Sequence, residues 1–503
     1  MKKHIDKFGV LLLALLLMLS FLAACSDNGS KKTSEDALDT AETAEEAVTD
    51  ETAAVRIEPN LPKMDFNGKI YKVLGATHST YSQFINFEID ADGTNGDIVN
   101  DAVYNRNLIL EEKYNCVIEQ DLHENQDDIL KKSIASGEDI YSLAFSRLGN
   151  VGAMTVAGDF LDLNKMKYLD FTQPWWSLEV TNSLSVAGKL YFTTGDFNLM
   201  DKNRTYLLFY NKDMAKSYQM EAFYNYVYDN KWTVDKMTEL ASAVKADLDG
   251  DGVMTDKDRW GLGMDSRNAF YVYIVGCDNF IITKDAADMP VLSVNNEHTI
   301  QSVDKVLMLA NDRTMAFYCE DFSGKVNYDF WSVVGNVFTE GNSLFAALFT
   351  QSLKYMSSNA DFDYGILPYP KFDERQEKYI STPDPAWTTV LCIPVTVQDT
   401  DFASFMLEAI CAASKYEVLP AYYETSSKVK YMYDAESPKM FDIIFSGLRY
   451  DLAIPYNWGG VSAIFRGEIP NAGVNNFSSK YAAIEGKALS EMQKTVDMIL
   501  ELG

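Results

Sequence analysis

The stretch ADLDGDGVMTDKDRWG (246–261) sets Asp247, Asp249, Asp251, Asp256 and Asp258 around Gly250 and Gly252. Carboxylates packed this densely repel one another unless a positive charge sits among them. The pattern D-x-D-x-D-G with an acid at the twelfth place is that of an EF-hand calcium loop, a hard-cation site built from oxygen ligands alone. On that pattern Asp247, Asp249 and Asp251 supply side-chain oxygens and Val253 a backbone carbonyl. Thr255 contributes directly or through water, Asp258 closes the shell, and Gly252 makes the sharp turn. Asp258 stands where such loops usually carry Glu, so modest affinity is expected. The alternative is a solvated acidic turn. An ion here is expected to be a structural staple rather than a catalyst or a ligand contact.

Neighbouring elements must hold that loop. TVDKMTELASAVKA (233–246) reads as an amphipathic helix with Thr233 as its N-cap, and RWGLGM leaves the loop as a strand. The paired helices of a full EF-hand are therefore not expected. Upstream, KIYKVLGA (69–76), CVIEQ and DIYSLAFS read as strands, alternating with helices over 96–115 and in QDDILKKSIASG. KLYFTTGDF and RTYLLFYNK are two further expected strands, and a long helix is expected from Ser478 to Leu502. Strands alternating with helices predict an α/β fold with largely parallel sheets.

The chain opens with Lys2, Lys3 and Lys7, an apolar run from Val10 to Leu19, and FLAAC ending at Cys25. This is a secretory signal pattern, too short for a membrane span. LAAC resembles a lipobox, with Cys25 as the lipidated first residue of the mature chain. The acidic segment that follows has no aromatic residue and predicts a disordered tether, with folding expected to begin near Leu61. The 440 or so residues beyond it exceed one small core and predict two lobes.

Apolar residues make up 47% and charged residues 23%, within the globular range. A net charge of −29 argues against nucleic acid or an anionic membrane surface as a partner. Cys116, Cys277, Cys319, Cys392 and Cys411 are odd in number and widely spaced, which predicts buried thiols rather than disulfides or a zinc site. Four histidines, one of them in the signal segment, give little basis for a histidine metal or nucleophile site.

GKLYFTTGDFNLMDKNRTYLLFYNKDM (188–214), WTVDKMTELASAVKADLDGDG and FTEGNSLFAALFTQSLKYMSSNADFDYGILPYPKFDERQEKYIST occur in an order that resembles family 1 extracellular solute-binding proteins of ABC importers. That group includes the maltodextrin-binding proteins. The resemblance implies a type II two-lobe α/β binding-protein fold, each lobe a mixed, mostly parallel sheet flanked by helices, with ligand gripped in the cleft between lobes. Mapped onto this chain it divides the sequence into a signal peptide (1–24), a tether (25–61), lobe one (62–203 and 385–435) and lobe two (204–384 and 436–503). It also implies a lipid-anchored, outward-facing monomer that captures a carbohydrate, expected to be an oligosaccharide, and hands it to a membrane permease.

Ligands of doubly wound sheets sit beyond the carboxyl ends of strands. That rule selects Ser146 and Arg147, then Asp265, Arg267 and Asn268, then Gln351, with Arg204 at the expected lobe crossing. Trp387 in PDPAW and Trp458 in YNWGG are expected to stack on sugar rings from loops. Trp175 and Trp176 share a loop-like context. Two other readings stay open at this point: the same fold serving another solute or a sensor, and a secreted glycoside hydrolase, which would need a carboxylate pair.

Overall fold

The computed structural model describes residues 56–502, apart from 80–83, 328 and 428–434. The signal peptide, Cys25 and the tether up to residue 55 lie outside the described residues. The chain begins as three strand–helix units: β1 (Lys69–Ala76), α1 (Ile98–Tyr114), β2 (Cys116–His123), α2 (Gln126–Ser136), β3 (Leu143–Arg147) and α3 (Leu148–Val156). The Asp97 side chain caps α1 by accepting from Val99 N and Asn100 N. β1 runs parallel to β2 and to β3, as strands joined through crossover helices do.

A second run follows: β4 (Tyr206–Asn211), α4 (Val234–Val244), β5 (Trp260–Met264), α5 (Asn268–Gly276), the β6 (Ile282–Lys284) and β7 (Pro290–Leu292) hairpin, α6 (Glu297–Ala310), β8 (Ala316–Tyr318), β9 (Ser343–Phe349) and β10 (Tyr364–Leu367). Thr233 caps α4 by accepting from Lys236 N. β11 (Thr389–Cys392), α7 (Thr400–Ser427) and α8 (Phe477–Glu501) complete the elements that position the site.

The strands make two separate sheets, ordered β11-β3-β1-β2 and β10-β4-β9-β5-β8, beside the small β6-β7 hairpin. β11 returns antiparallel to β3, so the late chain rejoins the first sheet. In the second sheet β5 is parallel to both β8 and β9, whereas β4 is antiparallel to β9 and β10. Helices flank both sheets, giving a two-lobe α/β fold. β4 is buried at all six positions and β5 at all five, as strands covered on both faces must be. No described helix is long and apolar enough to cross a membrane. The five described cysteines are buried and unpaired.

One expected strand is corrected. The segment 189–197 is not a strand: Thr193 makes one isolated bridge to Leu391, and Gly195 another to Trp176. Its apolar pattern reflects burial, not a ladder. Upstream of Leu61, Ile57 N donates to the Tyr416 hydroxyl and Arg56 pairs with Glu417 on α7. The C-terminal segment packs against α3 and against Lys189. A Cβ on Gly152 of α3 would lie 2.2 Å from the Pro455 carbonyl oxygen, and Lys189 Nζ donates to Leu502 O at 2.8 Å.

Candidate functional site

Two stretches of chain cross between the sheets side by side. Thr193 bridges Leu391 and Thr205 bridges Pro383, while Asp384 N donates to Arg204 O at 2.8 Å. The end of β9 closes on the same place, with Thr350 N donating to Thr205 O (2.9 Å) and Gln351 N to Asn203 O (3.1 Å). Strand ends from both sheets therefore converge at the crossing.

Its centre is a buried ion pair. The Arg204 guanidinium donates to Asp384 Oδ2, with the two residues 4% and 0% exposed. Asp384 Oδ1 accepts from Asn268 Nδ2 (3.2 Å) and Ala386 N (2.8 Å), and Asn268 Oδ1 accepts from Arg466 Nε (3.1 Å). Ring faces enclose the cation: Arg204 Cζ lies 3.7 Å from the Phe349 centroid and 4.9 Å from that of Phe84. Phe84 stacks on Trp387 with centroids 4.3 Å apart, and the Arg147 guanidinium sits 4.4 Å from the Trp387 ring centre. Arg204 Nε has no acceptor among the described residues.

Asp265 borders this cluster. Its carboxylate accepts from the Tyr206 hydroxyl (3.0 Å) and from Arg267 N (3.0 Å) and Asn268 N (2.6 Å) at the start of α5. Burial, and then the nearby Glu320 carboxylate, push its pKa up to about 6 against those hydrogen bonds.

Arg147, Arg204, Asn268 and Trp387 thus meet, with Asp265 adjoining them. Gln351 is tied to the crossing through its backbone, its side chain half-buried. Arg267 is exposed and lies 5.7 Å from the ring centre of Trp331. Ser146 stays apart: it is buried and donates to Asp127 Oδ1 at 2.7 Å. Trp458 is a correction. It is 2% exposed, donates to Thr495 Oγ1 on α8 and stacks on Tyr456, so its loop context hid a packing residue. Trp175 and Trp176 are also core, both donating their indole N–H to the buried Glu408.

Sequence reading missed Phe84, Tyr206, Phe349, Asp384, Arg466 and the exposed Trp331. Asp384 had one usable signal, an acid between two prolines in STPDPAW. The others carry none, because only tertiary packing brings them here.

In the acidic loop, Asp247, Asp249 and Asp258 each place a carboxylate oxygen within 4.8 Å of the others. Asp251 stands outside that trio, its Oδ1 accepting from Val253 N at 2.7 Å. Asp247 accepts from Gly250 N and Gly252 N, both at 2.7 Å, a turn that places Gly252 at φ +81°. Asp258 is buried and accepts from Leu248 N, Thr255 N and the Thr255 hydroxyl. Burial works against its ionised form, but those three donors outweigh it and hold its pKa below the usual carboxylate range. The Thr255 carbonyl is occupied by the Trp260 indole N–H. Three carboxylates converge as a hard cation requires, while Asp251, Thr255 and the loop amides are bonded within the loop.

No protein-family model matches the sequence, and no curated protein sequence matches it. Solved structures do match. A crystal structure of UspC from Mycobacterium tuberculosis superposes with a TM-score of 0.54 at 13% identity, covering 84% of this chain and 99% of that one. A sugar transporter from Rhizobium etli, in an open conformation, gives 0.54 at 14% identity over 85% of this chain and 99% of that one. An ABC transporter solute-binding protein from Thermotoga lettingae, bound with α-D-tagatose, gives 0.51 at 14% over 85% and 100%. The fold is therefore that of the two-lobe solute-binding proteins.

Proposed function

We propose that this chain is a carbohydrate-binding receptor that holds its ligand at the crossing between the two lobes. The observation that carries this reading is the mixture gathered there: ring faces of Trp387, Phe84 and Phe349 beside the guanidinium groups of Arg147 and Arg204 and the amide of Asn268. Sugars present apolar ring faces and hydroxyl edges at once. Aromatic faces take the former, and planar polar groups take the latter. Ligand touching both lobes would favour their closed arrangement, a population shift that a permease can read.

The fuller reading has the receptor exported, lipid-anchored at Cys25, monomeric, and delivering an oligosaccharide to an ABC permease. A structural calcium ion held by Asp247, Asp249 and Asp258 belongs to the same reading. β5 separates that loop from Asp265 by roughly 15 Å at about 3.3 Å per residue, so the ion would brace the second lobe without touching ligand. Asp265 and Glu320 are a carboxylate pair that a hydrolase could employ. Both serve instead as acceptors for residues 266–269, the turn that starts α5.

A thermal-shift screen of mono- and oligosaccharides tests the proposal. A binder at about 100 times its Kd adds about 2.7 kcal/mol, a clear rise in melting temperature. Silence toward every sugar, with a rise for amino acids or peptides, would replace carbohydrate with another solute. Turnover of a bound glycan would replace receptor with enzyme.

A further inference from the structure

The arginines of this chain divide by what they meet. Arg56 pairs with Glu417, Arg313 with Asp321 and Arg449 with Glu179. At the crossing Arg204 pairs with Asp384. Arg147, Arg267 and Arg466, which border it, have no carboxylate within ion-pair distance among the described residues.

Arg147 closes β3. Its Nη2 donates to the Glu124 carbonyl (2.9 Å) and its guanidinium lies over Trp387, while Nε and Nη1 have no acceptor among the described residues. Burial lowers its pKa against the pull of Asp127 and Asp128, as for a cation short of a counter-charge. Arg466 is anchored by a single bond, Nε to Asn268 Oδ1 (3.1 Å), and Asn268 in turn reaches Asp384. Its two Nη groups have no acceptor among the described residues. It stands in a π-helical turn, Ile464–Glu468, at φ −97° and ψ 40°, and Gly467 after it takes φ +143°. Such interruptions re-aim a side chain and recur at functional sites. Arg267 is exposed and adjoins Asn268 in sequence. The acids of the same cluster are already engaged. Asp384 accepts from Arg204, Asn268 and Ala386 N, Asp265 from the Tyr206 hydroxyl and two backbone amides, and Glu320 from Ser266 N and Oγ.

Acceptors here are spent on the protein, and donors are left over. A neutral sugar hydroxyl donates as readily as it accepts, so its proton would find few partners. A carboxylate or sulfate only accepts, and it matches the guanidinium fork in shape and charge. The net charge of −29 repels large polyanions, but a small anion in contact with a guanidinium feels that group first. We propose that the ligand at the crossing is an acidic carbohydrate, its carboxylate or sulfate groups taken by Arg147 and Arg466, with Arg267 as a further cation beside them. The assignment rests on the carbohydrate reading above and gives that ligand a chemical class. Arg147 belongs to the first sheet and Arg466 is tied to α5, so an acidic oligosaccharide held by both would fasten the two lobes together.

The test is calorimetric titration with trigalacturonate and trimannuronate, which carry only carboxylates, a carrageenan tetrasaccharide, which carries only sulfates, and neutral galactotriose and cellotriose. The wild type is expected to bind an acidic sugar at least about 10-fold more tightly than either neutral one, and the arm that responds identifies the anion. That preference is read without any variant having to fold. Arg147→Gln and Arg466→Gln should each weaken the acidic sugar about 10- to 100-fold, and Arg466→Lys, which keeps the charge and loses the fork, by less. Arg259→Gln, whose guanidinium donates to the Tyr218 hydroxyl, should change nothing. Neutral trisaccharides bound as tightly as the acidic sugars, or an acidic sugar indifferent to both Gln variants, would overturn the assignment and leave the carbohydrate receptor standing. Silence toward every sugar in the panel overturns both.

Discussion

The acidic loop and the crossing both concentrate charge, and they manage it in opposite ways. In the loop, every donor to Asp247, Asp249, Asp251 and Asp258 lies within ten residues of its acceptor. At the crossing, Arg204 and Asp384 are 180 residues apart, Asn268 and Asp384 are 116, and Asn268 and Arg466 are 198. Of the loop's acids Asp249 and Asp251 are exposed and Asp247 and Asp256 half-buried, so water can replace a lost partner there. Arg204 and Asp384 are almost wholly buried, so a lost partner leaves a stranded charge. The same residue types therefore do different physical work: local turn-making in one region, long-range fastening of two lobes in the other.

The sharpest way to break this contrast is Asp384→Ala. It leaves the Arg204 guanidinium buried without a counter-charge and is expected to lower unfolding stability by about 3–5 kcal/mol in urea titrations. Asp249→Ala in the exposed loop, measured alongside in EDTA, should lie within about 0.5 kcal/mol of wild type. Equal losses at the two sites would erase the distinction. Trp387→Ala comes next. The ring is half-buried and stacked between Phe84 and Arg147, so its removal should weaken sugar binding about 10-fold or more by calorimetry, with a smaller effect on melting. Unchanged affinity would move the ligand away from the crossing.

Calcium removal is a milder test. An ion present at about 10 to 100 times its Kd contributes about 1.4 to 2.7 kcal/mol, so EDTA should lower the melting temperature by a few degrees and leave sugar affinity nearly unchanged. An unaltered melting curve, with no calcium by metal analysis, would make the loop a solvated turn. A large loss of affinity without unfolding would link the two regions after all.

The smallest expected effect is on pH dependence. Burial raises the Asp265 pKa from 3.8 to about 6, so the folded protein holds that proton more tightly than the unfolded chain. Its contribution to stability is fully present below about pH 4 and is lost as pH rises through about 6. Asp265→Asn should flatten that part of the stability profile. An identical slope in wild type and variant would place the titration elsewhere.

Legibility followed the same division. The strand expected at 69–76 has those bounds, and Thr233 is the cap expected of it, because both depend on neighbours a few residues away. KLYFTTGDF failed as a strand because apolar alternation reports burial, and burial here comes from the crossing and not from a ladder. Trp458 and Trp387 stand in similar loop contexts, yet one is sealed under α8 and the other stacks between Phe84 and Arg147. Nothing within ten residues of either distinguishes them.

From sequence alone, the alternation of strands and helices, the turn-forming acids and the helix caps could be read, because hydrogen bonds between near neighbours set them and the chain cannot avoid those neighbours. Tertiary structure decided which acid meets Arg204 and which tryptophans face the crossing. Those outcomes depend on how two sheets more than a hundred residues long in contour are brought together. Burial then turns each such meeting into a large energetic difference that no local pattern records.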